Sequence, residues 1–268
     1  MAAPANTSNS PNVRDLFSVR DRLALVTGAN RGLGYTLASG LAQAGARVVI
    51  QGRDAAKVDA AVGQLQQDTG ADVTGAVFDV TDAAGVQAGI ARLCEEVGVP
   101  DILVNNAGIQ RRHPIQEFPF EEWDQLIATN LSAAFYVTRA LVPAMIERGH
   151  GGKIIMIGSV QSRLARQTIA PYCASKGGLA LLTQGMTADL ARHNIQINQL
   201  SPGYFATEMN RALVEDEEFD AWLRARTPAG RWGDPNELIG TLLYLASPAS
   251  SFVTGQNILV DGGMTAIV

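Results

Sequence analysis

Short apolar runs alternate with longer amphipathic stretches along most of this chain. Helical periodicity predicts helices near 33–44, 54–67, 83–97, 120–148, 171–192 and 234–246. The apolar runs between them predict buried strands at about 23–27, 46–51, 73–78, 101–105, 153–158, 195–200 and 257–260. Asp54, Asp82 and Asp234 stand where the N-caps of three of these helices belong.

The alternation of strands and helices predicts right-handed βαβ crossovers and a parallel sheet with helices on both faces. With 268 residues, 47% of them hydrophobic, the chain can bury one substantial core, so we expect a single α/β domain over 16–268. Residues 1–15 are rich in Ala, Pro, Asn and Ser, which predicts a disordered tail without the features of a secretory signal. The segment 207–226 interrupts the alternation and is interpreted as an insertion.

Charge and cysteine content indicate the kind of partner and the compartment. The formal charge is −5 and the basic residues are scattered, which argues against nucleic acid or an anionic membrane as a partner and favours a small-molecule substrate. No apolar run of ~18 residues occurs, so no membrane span is expected. Two cysteines, Cys94 and Cys173, form neither a disulfide framework nor a metal-ligand spacing, and we expect a reducing cytoplasm and no metal.

A candidate proton-transfer pair lies in the fifth predicted helix. Tyr172 and Lys176 are four residues apart, so both side chains leave the same helix face. A neighbouring ammonium favours the phenolate form of tyrosine, which predicts a lowered tyrosine pKa and acid/base chemistry. Ser159 follows the fifth predicted strand, at the edge where parallel sheets bind ligands. Ser162 is a chemical alternative for the same role.

A glycine-rich turn follows the first predicted strand and opens the first long helix. Gly28 permits a tight turn, Gly32 lets backbone approach a pyrophosphate, and Gly34 allows close packing of helix on sheet. The helix N-terminus adds amide donors and a positive dipole. This order of strand, glycine turn and helix predicts a dinucleotide site.

The end of the second predicted strand indicates which dinucleotide is bound. Gly52 stands where an NAD enzyme has an acidic residue for the ribose 2′-hydroxyl. Arg53 follows it and Arg31 lies in the glycine turn, and guanidinium groups bind a 2′-phosphate well. NADP is therefore favoured over NAD. Asp54 would favour NAD if it faced the ribose, but capping the next helix is the preferred interpretation.

These motifs resemble, in order, those of the short-chain dehydrogenase/reductase family. The resemblance rests on Thr27-Gly28-x-x-x-Gly32-x-Gly34, Asn105-Asn106-Ala107-Gly108, Asn130, Ser159, Tyr172-x-x-x-Lys176 and Pro202-Gly203. Within the family, the segments at 109–114, 161–162, 168–171, 203–209 and 231–235 resemble the gluconate 5-dehydrogenases. The resemblance implies a Rossmann-type, doubly wound sheet of about seven strands, a helical flap over the substrate near 207–226, and a homotetramer.

The resemblance also implies site residues. The catalytic set is Asn130, Ser159, Tyr172 and Lys176, with the family spacing selecting Ser159 over Ser162 and with Asn130 holding a water that links Lys176 to solvent. The implied cofactor contacts are Gly28, Asn30, Arg31, Gly32, Leu33, Gly34, Arg53, Asp79, Val80, Asn106, Ala107, Gly108, Tyr172, Lys176, Pro202, Gly203, Phe205 and Thr207.

Two basic loops suggest an acidic substrate. Arg111 and Arg112 follow the fourth predicted strand, and Arg163 and Arg166 follow Ser159, so the sequence leaves open which arginine binds a carboxylate. A sugar acid such as gluconate would use these charges and the polar Gln161, and the resemblance implies oxidation to 5-keto-gluconate. The alternatives are a reductase of another carbonyl, such as a 3-oxoacyl-carrier-protein or a deoxy-ketouronate, and, more remotely, a non-catalytic NADP-sensing regulator.

Overall fold

A seven-stranded, wholly parallel sheet organises the chain, which a computed structural model describes over residues 12–268. The strand order is β3-β2-β1-β4-β5-β6-β7. The strands are β1 (Leu23–Val26), β2 (Arg47–Gly52), β3 (Val73–Val77), β4 (Ile102–Asn105), β5 (Gly152–Ile157), β6 (Ile195–Pro202) and β7 (Asn257–Val260). This confirms the predicted doubly wound α/β fold.

Helices cover both faces of the sheet. They are α1 (Val13–Leu16), α2 (Gly32–Gln43), α3 (Ala55–Thr69), α4 (Ala83–Glu96), α5 (Phe120–Ile127), α6 (Ala133–Arg148), α7 (Ala170–Leu190), α8 (Arg211–Val214), α9 (Glu217–Arg226) and α10 (Ile239–Ala246). Most of the predicted tail lies outside the described residues, and the turn α1 occupies part of its end. Among residues 12–268, no helix is both long and apolar enough to cross a membrane.

Two apolar clusters, one on each face of the sheet, form the core. On one face Leu37 and Leu41 of α2 pack with Leu242 of α10. On the other face Leu141 of α6 and Leu179 of α7 pack against the sheet. Strands β4 and β5 are therefore buried on both sides, which is why they read as apolar runs. Strand β6 is equally buried but carries the polar Gln196, Asn198 and Gln199.

Helix starts follow the sequence closely. Asp54 accepts from the Lys57 amide, Asp82 from the Ala84 amide, and Asp234 forms a capping box with Glu237. The last helix begins with a 3₁₀ turn, Pro235–Leu238, before α10. The helix expected near 120–148 runs without a break from Phe120 to Arg148, but its centre, Ala128–Ser132, is a π-helical turn between α5 and α6.

The insertion at 207–226 is helical. It contains the 3₁₀ turn Glu208–Asn210 followed by α8 and α9. Tyr204, Phe219, Trp222 and Trp232 form an aromatic cluster beneath it, with ring centroids 5.1–6.3 Å apart. The Trp232 indole also donates to Asp220 at 2.7 Å. This packing holds α9 above the carboxyl edge of the sheet.

Candidate active site

Ser159, Tyr172 and Lys176 meet where β5 ends and α7 begins. Ser159 follows β5 in extended conformation and lies in hydrogen-bond contact with the Tyr172 hydroxyl. Lys176 is buried on the same face of α7, with its ammonium 5.7 Å from the Tyr172 ring centroid. Its Nζ donates to the Ile157 carbonyl at 2.7 Å. The three residues that the sequence singled out therefore form one constellation, whereas the Ser162 hydroxyl is occupied by Asn257 at 2.9 Å.

The pKa of Tyr172 differs from the sequence-based expectation. Burial raises the pKa of Tyr172 to about 12, and the hydrogen bond to Ser159 opposes this shift. Burial also lowers the pKa of Lys176 to about 8. The expectation that Lys176 lowers the tyrosine pKa was therefore wrong for the protein chain alone, because desolvation by burial is the largest cause of the pKa shift of each group. A positive charge beside the hydroxyl would be needed to favour the phenolate.

Asn130 lies in the π-helical turn, which turns its side chain towards the loop after β4. Its amide group donates to the Ile109 carbonyl at 2.9 Å and accepts from the Ile109 amide at 2.8 Å. A further contact of 3.3 Å reaches Ser175 on α7. The Asn130 side chain thus fastens this loop to the catalytic helix, and its expected role in holding a water stays a prediction.

The glycine turn has the close packing that its sequence predicts. Gly28 has φ of +61°, and an added Cβ there would lie 3.0 Å from Ala107 Cα. A Cβ on Gly34 would collide with the Gly28 carbonyl and the Asn106 side chain. Gly32 instead has φ of +56° and nothing within 4 Å of an added Cβ, so its backbone borders open space. These features fit a pyrophosphate at the N-terminus of α2.

Two residues to which the sequence assigned no individual role position the turn. Gln51 accepts from the Gly28 amide at 3.1 Å and donates to the Phe78 carbonyl at 2.6 Å. The Thr27 hydroxyl accepts from the amides of Asn106 and Ala107 at 3.0 and 3.2 Å. A polar residue inside an otherwise apolar strand was the available signal for Gln51.

The region after β2 fits a phosphorylated ribose. An added Cβ on Gly52 would lie 2.8 Å from Val58 and 3.3 Å from the Asn30 side-chain oxygen, so little room exists for an acidic side chain. Asp54 caps α3, as expected. Arg53 is exposed, and its charge contributes to a lowered pKa of Asp79, whose main cause is the hydrogen bond from the Thr81 amide.

Arg31 has a different partner from the one expected. Its guanidinium pairs with Glu208 of the insertion at 3.2 Å, and both side chains are largely exposed. This ion pair bridges the glycine turn and the start of the insertion. Arg53 is therefore the better-placed cation for a 2′-phosphate. Arg31 could bind the phosphate only if its ion pair with Glu208 were broken.

The other predicted cofactor residues border the same cleft. The Asn106 side-chain amide donates to the carbonyls of Thr27 and Gly28 at 2.9 and 3.2 Å, so it stabilises the glycine turn. Gly203 packs so tightly that a Cβ would lie 2.7 Å from Asp261 Cα. Leu33 lies in the first turn of α2 and Pro202 ends β6. The remaining members follow β3, β4 or β6, and they are Val80, Ala107, Gly108, Phe205 and Thr207.

The four candidate arginines separate into two kinds. Arg111 lies 3.6 Å from Glu122, which also contacts His113 at 2.9 Å, so its charge is compensated. Arg163 is exposed. Arg112 and Arg166 are half-buried, and neither forms an ion pair with any described residue. The structure thus distinguishes arginines that the sequence could not.

Arg112 lies near the catalytic tyrosine, and Arg166 approaches Arg112 from the other loop. Burial lowers the pKa of Arg112, and the charge of Arg166 lowers it further, so the two guanidinium groups lie close together. The Nε atoms of both are buried without a hydrogen-bond partner among residues 12–268. Arg112 acts electrostatically on Tyr172, and Arg166 stacks on Phe219 at 5.4 Å. Two half-buried cations without a counter-ion among the described residues would favour the binding of an anion.

Tyr204 completes this pocket. Burial raises the pKa of Tyr204, and hydrogen bonding to Arg166 opposes the rise. Gln161 donates to the Tyr204 hydroxyl at 3.3 Å. Sequence reasoning missed Tyr204, although its place directly after Pro202-Gly203 at the end of β6 was a usable signal.

The two arginine-bearing loops are joined through their backbones. The His113 amide donates to the Thr168 carbonyl at 3.0 Å. Thr168 has φ of +71°, a conformation that costs a β-branched residue of order 1–3 kcal/mol. The strained backbone is consistent with a loop held in place for function. Among the described residues, no cluster of side chains has the composition of a metal site.

The fold and site define the class of protein, and comparison with known proteins agrees. The family profile described as enoyl-(acyl carrier protein) reductase matches residues 28–265. The chain belongs to the short-chain dehydrogenase/reductase family, as its motifs predicted. Its similarity to gluconate 5-dehydrogenases, also predicted, is confirmed by the following relatives.

Gluconate 5-dehydrogenase of Gluconobacter oxydans is 55% identical over 94% of this chain and 97% of its own length. The 5-keto-D-gluconate 5-reductase of Escherichia coli K12 is 50% identical over 96% and 100%. A crystal structure of gluconate 5-dehydrogenase from Burkholderia cenocepacia, in complex with NADP and tartrate, has a TM-score of 0.93 at 52% identity, covering 96% of this chain and 100% of that chain.

Proposed function

We propose that this chain is an NADP-dependent oxidoreductase that interconverts gluconate and 5-keto-gluconate. The observation that carries the proposal is the placement of Ser159, Tyr172 and Lys176 beside two half-buried, uncompensated arginines. The first group provides proton transfer at an alcohol, and the second provides recognition of an anionic substrate. The similarity to enzymes named for gluconate and 5-keto-gluconate supports the same substrate.

Each residue of the constellation has a separate role. Tyr172 takes the hydroxyl proton as the alcohol is oxidised and returns it to the ketone oxygen in reverse. Ser159 donates to the reacting oxygen and orients it towards Tyr172. Lys176, together with the positively charged nicotinamide when NADP is bound, would stabilise the phenolate form. Asn130 braces the loop after β4. NADP⁺, when bound, would accept the hydride from the carbon atom that carries the reacting hydroxyl.

Residues of the glycine turn and of the segment after β2 would form the binding site for this cofactor. The open backbone at Gly32 and the N-terminus of α2 suit the pyrophosphate, while Arg53 suits the 2′-phosphate. Lys176, whose ammonium donates to the Ile157 carbonyl, would hold the nicotinamide ribose hydroxyls. NADP bound in related structures supports this assignment.

The rate of alcohol oxidation should rise with pH from 7 towards 10. Tyr172 must act as a base, and with a pKa of about 12 its phenolate fraction increases about tenfold per pH unit below that value. Ketone reduction needs the protonated phenol and should stay nearly flat over the same range. Initial rates in both directions, with a deuterium isotope effect to show rate-limiting chemistry, measure this. A flat oxidation profile under rate-limiting chemistry would contradict the role of Tyr172.

Replacing Arg53 should alter cofactor preference. Arg53→Ala is expected to weaken NADP⁺ binding about tenfold to a hundredfold and to leave NAD⁺ binding nearly unchanged, because only the 2′-phosphate loses a charge-assisted contact. Cofactor titration by calorimetry measures both constants. Arg47→Ala is a matched control, since Arg47 is an exposed arginine paired with Asp72 at the opposite edge of the sheet. Equal losses for NADP⁺ and NAD⁺ would show that Arg53 is structural.

The substrate is tested by comparing gluconate with its alditol, which lacks the carboxylate. Oxidation of gluconate with NADP⁺ should exceed oxidation of the alditol about tenfold or more in kcat/KM, because buried guanidinium groups left without an anion lose a strong interaction. Assays of 5-keto-gluconate, a deoxy-ketouronate and a 3-oxoacyl thioester with NADPH complete the test. Turnover of the thioester with both gluconate and 5-keto-gluconate inert would replace the proposed substrate.

A non-catalytic regulator is disfavoured because Ser159, Tyr172 and Lys176 are all present in a connected arrangement.

We further propose a homotetramer in the cytoplasm. Exposed apolar side chains on α5, α6 and α7, among them Phe120, Phe135 and Leu181, are compatible with association of subunits. Sedimentation velocity of the purified protein measures the assembly.

A further inference from the structure

A second cavity lies at the amino edge of the sheet, opposite the edge that carries Tyr172. It has a volume of about 220 Å³ and opens between the residues that precede β1 and β4 and those that begin β5. The turn Pro248–Ser250 closes its far side. Its lining includes Arg22, Lys153 and Asn194, none of which has a role in the site described above.

Lys153 brings an uncompensated charge to this cavity. Its ammonium donates to the Ser250 hydroxyl at 3.1 Å, and it forms no ion pair with a carboxylate among residues 12–268. Burial lowers the pKa of Lys153 to about 8, and the charge of Arg22 contributes to the shift. An ammonium in such surroundings gains from any anion that enters the cavity.

Among residues 12–268, Asp101 is the only carboxylate that lines the cavity, and it is already engaged. Asp101 accepts from the Leu23 amide at 2.9 Å and lies 3.0 Å from Arg148 and 3.4 Å from Arg22. One carboxylate therefore serves two guanidinium groups and leaves nothing for Lys153. Among the described residues the cavity thus carries excess positive charge, although the whole chain has a formal charge of −5.

We propose that this cavity binds a compact oxyanion, either inorganic phosphate or the phosphate group of a monoester, between Lys153 and Arg22. Asn194, Gln196 and Ser251 line the cavity and supply further polar groups, and His150 stands at its exposed rim. The volume is below the ~300–1,000 Å³ of typical small-molecule sites, which favours a single oxyanion over a nucleotide. The proposal does not depend on the reaction carried out at the opposite edge.

Calorimetric titration with sodium sulfate, at constant ionic strength maintained with chloride, tests the site. Sulfate is chosen because its charge does not change with pH in the range used. We expect saturable binding that Lys153→Met weakens at least about tenfold, the loss of one charge-assisted bond. Lys57→Met, at an exposed lysine paired with Asp54, is the matched control and should bind as the wild type does. Arg22→Gln should weaken binding in the same direction as Lys153→Met.

Further measurements distinguish this cavity from the anion sites at the catalytic edge and identify the class of ligand. Arg112→Gln and Arg53→Ala remove the anion sites of the catalytic edge and should leave the Lys153-dependent binding intact. Sulfate affinity should fall as pH rises from 7.5 to 9.5, because the ammonium of Lys153 is lost around pH 8, while guanidinium and carboxylate groups ordinarily keep their charges. Inorganic phosphate and glycerol phosphate are compared at pH 7.5, and tighter binding of the monoester would identify a metabolite as the ligand.

Two results would overturn the proposal. One is sulfate binding that is equal in wild type, Lys153→Met and Lys57→Met. The other is loss of binding only in Arg112→Gln or Arg53→Ala, which would place the anion at the catalytic edge. Near-ultraviolet circular dichroism of Lys153→Met and Arg22→Gln establishes that both variants are folded.

Discussion

Replacing Tyr172 by phenylalanine should reduce turnover of gluconate about 10²–10⁴-fold, the usual contribution of a positioned acid or base. The expected NADP⁺ affinity is nearly unchanged, because the hydroxyl group is removed without altering α7 or the glycine turn. Initial rates with saturating cofactor give the turnover, and calorimetry gives the affinity. Retention of more than about a tenth of wild-type turnover would exclude Tyr172 as the base.

Serine variants refine this test. Ser159→Ala should also reduce turnover, whereas Ser162→Ala should leave turnover within about twofold, because the Ser162 hydroxyl bonds with Asn257 away from Tyr172. Tyr35→Phe is a control for loss of a phenol elsewhere, since Tyr35 contacts Asp68 on the helical surface at 3.3 Å. If Ser162→Ala proved the more harmful serine change, the roles of the two serines would have to be exchanged.

Arg112→Gln should lower kcat/KM for gluconate about tenfold to a hundredfold and change that for the alditol much less. The guanidinium of Arg112 is half-buried next to Tyr172 and has no counter-ion among the described residues, so a substrate carboxylate gains one or two charge-assisted bonds from it. The gluconate-to-alditol ratio of kcat/KM is the measurement. Arg166→Gln should act in the same direction.

Arg111→Gln and Arg163→Gln are the matched controls. Arg111 is compensated by Glu122 and Arg163 is exposed, so neither change should narrow the gluconate-to-alditol ratio. If the gluconate-to-alditol ratio stayed constant in Arg112→Gln and Arg166→Gln but fell in Arg111→Gln, Arg111 would be the residue that contacts the carboxylate. A constant gluconate-to-alditol ratio in all four variants would show that none of these arginines recognises the substrate carboxylate.

The strands and the catalytic constellation could be predicted from sequence because their signals are local. Apolar runs such as that at β5 mark strands buried on both faces, and the glycine spacing and the four-residue interval from Tyr172 to Lys176 fix geometry within one turn of chain. The N-cap aspartates, such as Asp54, are equally local. Family membership followed from the order of these motifs.

Other features depend on contacts between residues distant in sequence. Only the folded chain shows that Glu122 compensates Arg111 and leaves Arg112 free, or that Glu208 engages Arg31. The tyrosine pKa depends on burial, which a tetrapeptide motif does not report. The π-helical turn after α5 lies within a continuous amphipathic pattern, so periodicity alone could not reveal it.

The aromatic cluster beneath the insertion provides an optical signal for motion of α9. Two of the three tryptophans, Trp222 and Trp232, belong to that cluster, and the third is Trp123 on α5. In a Trp123→Phe protein, emission therefore arises from the cluster alone. Trp232 is buried and its indole is hydrogen-bonded to Asp220 of α9. Displacement of α9 would expose Trp232 to water and shift its emission to longer wavelengths, so stopped-flow fluorescence can time this displacement against the chemical step without an added label.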